Sequence, residues 1–210
     1  MKLLNDFLKE YATPVAKSAG FKKKGTAFRI DASSGDVAFL EFSPFRIDST
    51  FVVFHAQCFI VPEPYWQWMN RQYLAAGVPE PNSSGAIAAF SVVPPPQAAH
   101  TPEAGGLART RWAFDENTRQ ASGKILSDVL RSDVVPRIRH LLVRENLLDA
   151  IRSTESPSIR RWGALESEIV LMVDEYSRHE MESLLSELDD SSPLKKQFTE
   201  WADMRRSKGA

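Results

Sequence analysis

Apolar residues recur at spacings of three and four over residues 3–19, and Leu4, Phe7, Leu8, Tyr11 and Val15 fall on one helical face. Pro14 lies inside the pattern and lacks an amide hydrogen, so a kink or break is expected there. Gly20 follows the last periodic residue, where a left-handed cap favours glycine, and Phe21 can fold back on the helix end. The period then changes from about 3.6 to 2. Thr26 to Asp31 predicts a first strand, Ser33-Ser34-Gly35-Asp36 a turn, and Val37 to Ser43 a second strand that Pro44 ends. Phe45 to Ser49 reads as a connection.

The third strand, Thr50 to Val61, has the clearest alternation. Val52, Phe54, Ala56, Cys58 and Ile60 make one wholly apolar face, and Phe51, Val53, His55, Gln57 and Phe59 make the other. Phe28 and Ile30 in the first strand, and Ala38, Leu40 and Phe42 in the second, supply matching core sets, with Arg29 and Glu41 pointing outward. A short aromatic helix with Tyr65, Trp66, Trp68, Met69 and Tyr73 follows Pro62-Glu63-Pro64 and ends near Gly77. Ala86 to Val93 predicts a fourth strand. Pro94 to Gly106 predicts a long surface loop, and Leu107 to Phe114 a fifth strand with Thr110, Trp112 and Phe114 inward and Arg109 and Arg111 outward.

The remainder reads as helices. Glu116 to Arg131 places Ile125, Leu126, Val129 and Leu130 on one face, and shorter helices are expected over Val134 to Val143 and Glu145 to Arg152. Ser158 to Ser177 aligns Trp162, Leu165, Ile169, Met172, Val173 and Tyr176, and Glu180 to Leu188 continues as another helix. Ser192-Pro193 opens a last helix with Leu194, Phe198 and Trp201 on its buried side. The expected fold class is α+β: an N-terminal helix, an antiparallel meander of about five strands, and a C-terminal helical half packed on it. Residues 1–155 form the α+β part and 156–210 a helical extension, within one globular unit.

Gly20-Phe21-Lys22-Lys23-Lys24-Gly25, with Phe28 after it and an amphipathic proline-containing helix before it, resembles the start of a bacterial family catalogued as domain of unknown function 4304. The phenylalanine-rich third strand is similar too, as is Ile125…Val129-Leu130…Val135-Pro136 followed by Ile138. The resemblance covers about the first 150 residues and implies an α+β fold. The chain departs from the family pattern at Glu41, where the family has Gln, and near Ala56, where it has Gly. The resemblance implies no activity.

Composition narrows the function classes. The 210 residues suffice for a core without disulfides or metal, and the 43% apolar and 25% charged fractions are ordinary for a globular chain. A net charge of −1 argues against a dedicated nucleic-acid binder. The single cysteine, Cys58, suits a reducing compartment, and no signal-peptide pattern or membrane-length apolar run is present, so a cytoplasmic location is expected.

Lys22-Lys23-Lys24 can hold a phosphate, or it can be a solvated turn at a helix C-terminus, which the short run and the near-neutral chain favour. His55 and Cys58 are three apart and so face opposite sides of a strand, and His100, His140 and His179 stand at no zinc spacing, so no metal and no cofactor is expected. The outward sheet face, with Arg29, Glu41, His55, Gln57, Arg109 and Arg111 and the neighbouring Trp66, is the candidate binding surface; the alternative is a polar face simply left in water. Residues 131 to 161 carry seven arginines and 165 to 190 nine acids, which either form two opposed surfaces or neutralise each other. GxSxG, GxGxxG, Walker A, HExxH and paired CxxC motifs are absent.

The expectation is a non-catalytic module of adaptor or immunity type that binds a protein partner through this face. The competing reading is a hydrolase or transferase on an anionic substrate, with His55 as base and Arg29 or Arg111 as anion clamps.

Overall fold

The computed structural model describes residues 2–48, 50–99, 111–153 and 163–209. Helix α1 (Lys2–Ser18) runs through Pro14 as one segment, without the expected break. Pro14 lies on the exposed side, so the carbonyl it leaves unpaired faces water. Gly20, at φ 92°, then caps the helix: its amide donates to the Lys17 carbonyl and the Phe21 amide to that of Ala16, at 3.0 and 2.9 Å. This reversal seats Phe21 in the core.

The lysine run that follows is a strand rather than a turn. β1 (Lys22–Lys24) pairs antiparallel with β2 (Ala27–Asp31) through a tight reversal at Gly25, φ 62°. β3 (Val37–Ile47) continues past Pro44, the expected end of the strand: Pro44 keeps its place opposite Phe54, and a register shift between Pro44 and Arg46 leaves Phe45 as the extra residue. β4 (Phe51–Val61) is the central strand. Its other edge carries two short strands, not one: β5 (Ala88–Ser91) pairs with residues 57–60, and β6 (Trp112–Asp115) with residues 51–54. The sheet thus has six antiparallel strands among the described residues. The expected strand residues 107–110, Arg109 among them, lie outside the described residues.

One face of the sheet builds the main core as its alternation requires. Val52, Phe54, Ala56, Cys58 and Ile60 are fully buried with Phe28, Ala38, Leu40, Phe42, Trp112 and Phe114. α1 lies across them, its Phe7 ring stacked on Phe114 at 4.1 Å. α3 (Arg119–Val129) packs beside α1 so closely that a β-carbon at Gly123 would stand 2.4 Å from the Tyr11 ring. α3 runs on through a π turn (Leu130–Val134) into α4 (Val135–Leu141), where a separate helix was expected. The wider turn accommodates Pro136, which cannot donate to the carbonyl four residues back.

α5 (Arg144–Arg152) and α6 (Ala164–Leu171) close the core. The helix expected to reach Ser177 stops at Leu171; its 158–162 start lies outside the described residues. α7 (Arg178–Ser186) begins anew on a Ser177–Glu180 capping box. In α8 (Pro193–Gly209), Phe198 and Trp201 are buried against Trp68, whereas Leu194, expected inside, is 38% exposed.

The opposite sheet face is not uniformly wet. The aromatic helix α2 (Glu63–Met69) straddles one end of the sheet. Tyr65 and Trp68 enter the main core, while Trp66 joins Val37, Phe39, Val61 and Ala86 in a second cluster on the outer face. Gly85 permits this, since a β-carbon there would meet the Trp66 ring at 2.2 Å.

The uneven charges of the helical half meet at two arginines among the described residues, while Arg131 pairs locally with Asp128. Arg144 pairs with Asp174 at 3.1 Å, and Arg152 with Glu168. A longer chain of ions ties the helices to the sheet. Arg144 also grips Asp36 in the β2–β3 turn, and Arg205 of α8 bridges Asp174 at 2.7 Å and Glu63 at 2.5 Å. Burial pushes the Asp174 carboxyl up, but the hydrogen bonds and charges of Arg205 and Arg144 outweigh this and leave it below its ordinary value.

Candidate binding face

The outer sheet face is a stack of cross-strand rows set by the register. Arg29, Phe39, Phe59 and Ala89 form one row; Ala27, Glu41, Gln57 and Ser91 form the next; Ser43 and His55 form a third. Arg111, immediately before β6, extends the face beside His55.

The rows divide by chemistry. Arg29 is already engaged: it pairs with Asp31 at 2.7 Å and Glu80 at 3.6 Å, and lies 5.9 Å from the Phe39 ring. It stands one row beyond the Glu41–Gln57 pair, on the side away from His55. Arg29 and His55 therefore share no pocket, and the expected pairing of His55 with an Arg29 clamp does not form. Trp66, expected to be available to a partner, is 7% exposed and donates its indole N–H to the Pro79 carbonyl at 2.8 Å. It is a covering residue. Arg109 lies outside the described residues.

His55 and Arg111 do come together, through a residue the alternation placed in a connection. The irregularity at Pro44/Arg46 leaves Phe45 without a partner across the ladder, 54% exposed on the outer face. The Arg111 guanidinium lies 3.6 Å from the Phe45 ring centroid, and the His55 ring meets Phe45 edge-on at 6.0 Å. Burial, and then the Arg111 charge, hold the His55 pKa below its ordinary value, so the imidazole is neutral at physiological pH. The Arg111 Nε is buried and has no hydrogen-bond acceptor among the described residues.

That orphan donor defines what the face can do. A buried guanidinium N–H without an acceptor is costly, and a planar carboxylate is the group that best matches its geometry. Phe45 offers apolar surface beside it, and Glu41 and Gln57 a polar flank. The signal for Phe45 was present in the sequence, since a proline within an alternating run marks a bulge as readily as an end. A separate cavity of about 470 Å³, between the β2–β3 turn and the start of α5, is lined by Asp31, Asp36, Arg139, Arg144 and Glu175. Arg144 there is spent on Asp36, Asp174 and the Ser34 carbonyl. Among the described residues no group of three His, Cys, Asp or Glu side chains is arranged to hold a metal, and no helix is long and apolar enough to cross a membrane.

Comparison of the chain with protein-family models, with curated proteins and with solved structures gives no match.

Proposed function

We propose that this chain is a non-catalytic protein-binding module, of adaptor or immunity type, that docks an acidic segment of a protein partner on the outer sheet face. The observation that carries the reading is Arg111: stacked on an exposed phenylalanine, beside a neutral histidine, with a buried Nε awaiting an acceptor. A carboxylate from the partner would pair with the Arg111 guanidinium, and an adjoining apolar side chain would cover Phe45. A half-buried arginine stacked on an exposed phenylalanine and ringed by polar residues has the make-up of an interface hot spot. The separation of Arg29 from His55 leaves the competing hydrolase or transferase reading with Arg111 alone as its anion clamp.

Crosslinking in the native lysate tests this. A photo-reactive phenylalanine analogue at position 45 is expected to give a discrete adduct, and Arg111→Glu is expected to abolish it. The same analogue at Lys196, on the exposed side of α8, is the control. No adduct beyond the control, or one indifferent to Arg111→Glu, overturns the reading.

A further inference from the structure

The lysine run that looked like a turn is divided by the pleat of β1. Lys22 points to the outer face and pairs with Asp31 at 3.1 Å. Lys23 points the other way, toward α1. Its ammonium donates to the Thr13 hydroxyl at 3.3 Å and stands 5.5 Å from the centroid of the buried Phe28 ring. Thr13 Oγ1 itself donates to the Leu8 carbonyl at 2.9 Å, which fixes the oxygen that receives Lys23.

Lys9, Thr13 and Lys17 recur every four residues and so form one stripe on α1. Lys23 thus meets that stripe between two further lysines. Both repel its charge, adding to partial burial, which is the larger cause of its lowered pKa. No carboxylate pairs with Lys9, Lys17 or Lys23 among the described residues. Glu10 is held by Arg119 at 2.9 Å, and Asp6, exposed one turn before Lys9, makes no ion pair among the described residues.

Three cations are therefore gathered without an ion-pair partner among the described residues, and the half-buried one is held in place by a hydroxyl. We propose that Lys9, Lys17 and Lys23 form a site for a ligand bearing one or two phosphate groups, with Thr13 as the positioning residue for Lys23. Lysine ammonium groups suit phosphate because each presents several rotatable donors on a compact charge. The stripe from Lys9 to Lys17 spans about 12 Å of helix, which fits a small phosphorylated group better than an extended nucleic-acid strand. The net charge of −1 points the same way.

The test titrates the full chain at low salt with inorganic pyrophosphate, read by calorimetry and by amide shifts. Saturable binding is expected, with shifts at Thr13, Lys17 and Lys23. Lys23→Met is expected to weaken it about tenfold or more, the loss of one charge-assisted contact, and Lys23→Arg to retain most of it. The double variant Lys9→Gln/Lys17→Gln gives the same loss at two exposed positions without touching the half-buried one. Lys196→Met is the control.

Vesicles containing a phosphorylated inositol lipid form a parallel arm. Lys23-dependent vesicle binding without pyrophosphate binding assigns the phosphate to a lipid headgroup; pyrophosphate binding assigns it to a free ligand. Failure of both arms, equal affinity in the wild type and in the Lys9→Gln/Lys17→Gln variant, or tighter Lys23-dependent binding of a short oligonucleotide overturns the proposal.

Discussion

Asp36 and Arg144 are 108 residues apart in sequence and meet as a buried, two-pronged ion pair. Arg144 Nε lies 2.9 Å from one carboxylate oxygen of Asp36 and Nη2 lies 3.1 Å from the other. The oxygen that Nη2 meets also accepts the Glu63 amide at 2.8 Å. The β2–β3 turn, the start of α2 and the start of α5 are thereby joined at one carboxylate.

Asp36→Ala leaves the Arg144 guanidinium, 8% exposed, without its closest counter-charge. The expected cost is about 3–5 kcal/mol, the range for removing one partner of a buried pair. Urea denaturation measures it. A loss below about 1 kcal/mol would mean that Asp174 alone satisfies Arg144.

Phe54 and His55 are neighbours on β4 that face opposite sides of the sheet. Phe54 is fully buried against Phe7, Phe42 and Phe114, so Phe54→Ala should cost about 3–5 kcal/mol. His55→Ala removes only a half-buried ring from the edge of Phe45 and should cost much less. Equal losses in paired denaturation curves would contradict the assignment of faces.

The pH dependence of His55 has a definite sign. Its folded pKa lies below the unfolded value, so in acid the folded state carries the full penalty of a charged, partly buried imidazole beside Arg111. The penalty is relieved as pH rises through the folded pKa toward the ordinary value near about 6.5. Stability should therefore rise with pH on the acid side of about 6.5, and His55→Gln should flatten that rise. Asp174, whose folded pKa is also depressed, contributes stability that is lost only at lower pH, as the carboxyl protonates. Thermal melts across this range decide it.

Gly123→Ala tests the α1–α3 contact. In an open helix the change would gain about 1 kcal/mol. Here the new methyl meets the Tyr11 ring at 2.4 Å, so α1 must shift or Tyr11 must leave its place. A net loss of about 1–3 kcal/mol is expected, and a stabilised variant would show that the two helices do not pack as closely as the structure has them.

Local pattern determined a large part of this protein. The alternation over Val52 to Ile60 specified both the central strand and the side that is buried, because the pleat admits no other assignment. Gly20 and Phe21 specified the end of α1, because a left-handed residue there requires glycine and the reversal returns the next side chain to the core. The candidate face was partly legible for the same reason: His55, Glu41 and Gln57 had to point away from the apolar set.

Tertiary structure decided the rest. Phe45 reaches the face only because the ladder with β4 persists past Pro44 and shifts register there. Trp66 left the candidate site because Gly85 lets a loop close over it. The lysine run became a strand because β2 offered an unpaired edge, and that pairing alone aims Lys23 at the Lys9–Lys17 stripe of α1. The Asp36–Arg144 pair had no sequence signature at all: ion pairs between distant segments depend on where the chain returns, and hydrophobic packing settles that before any charge can find its partner.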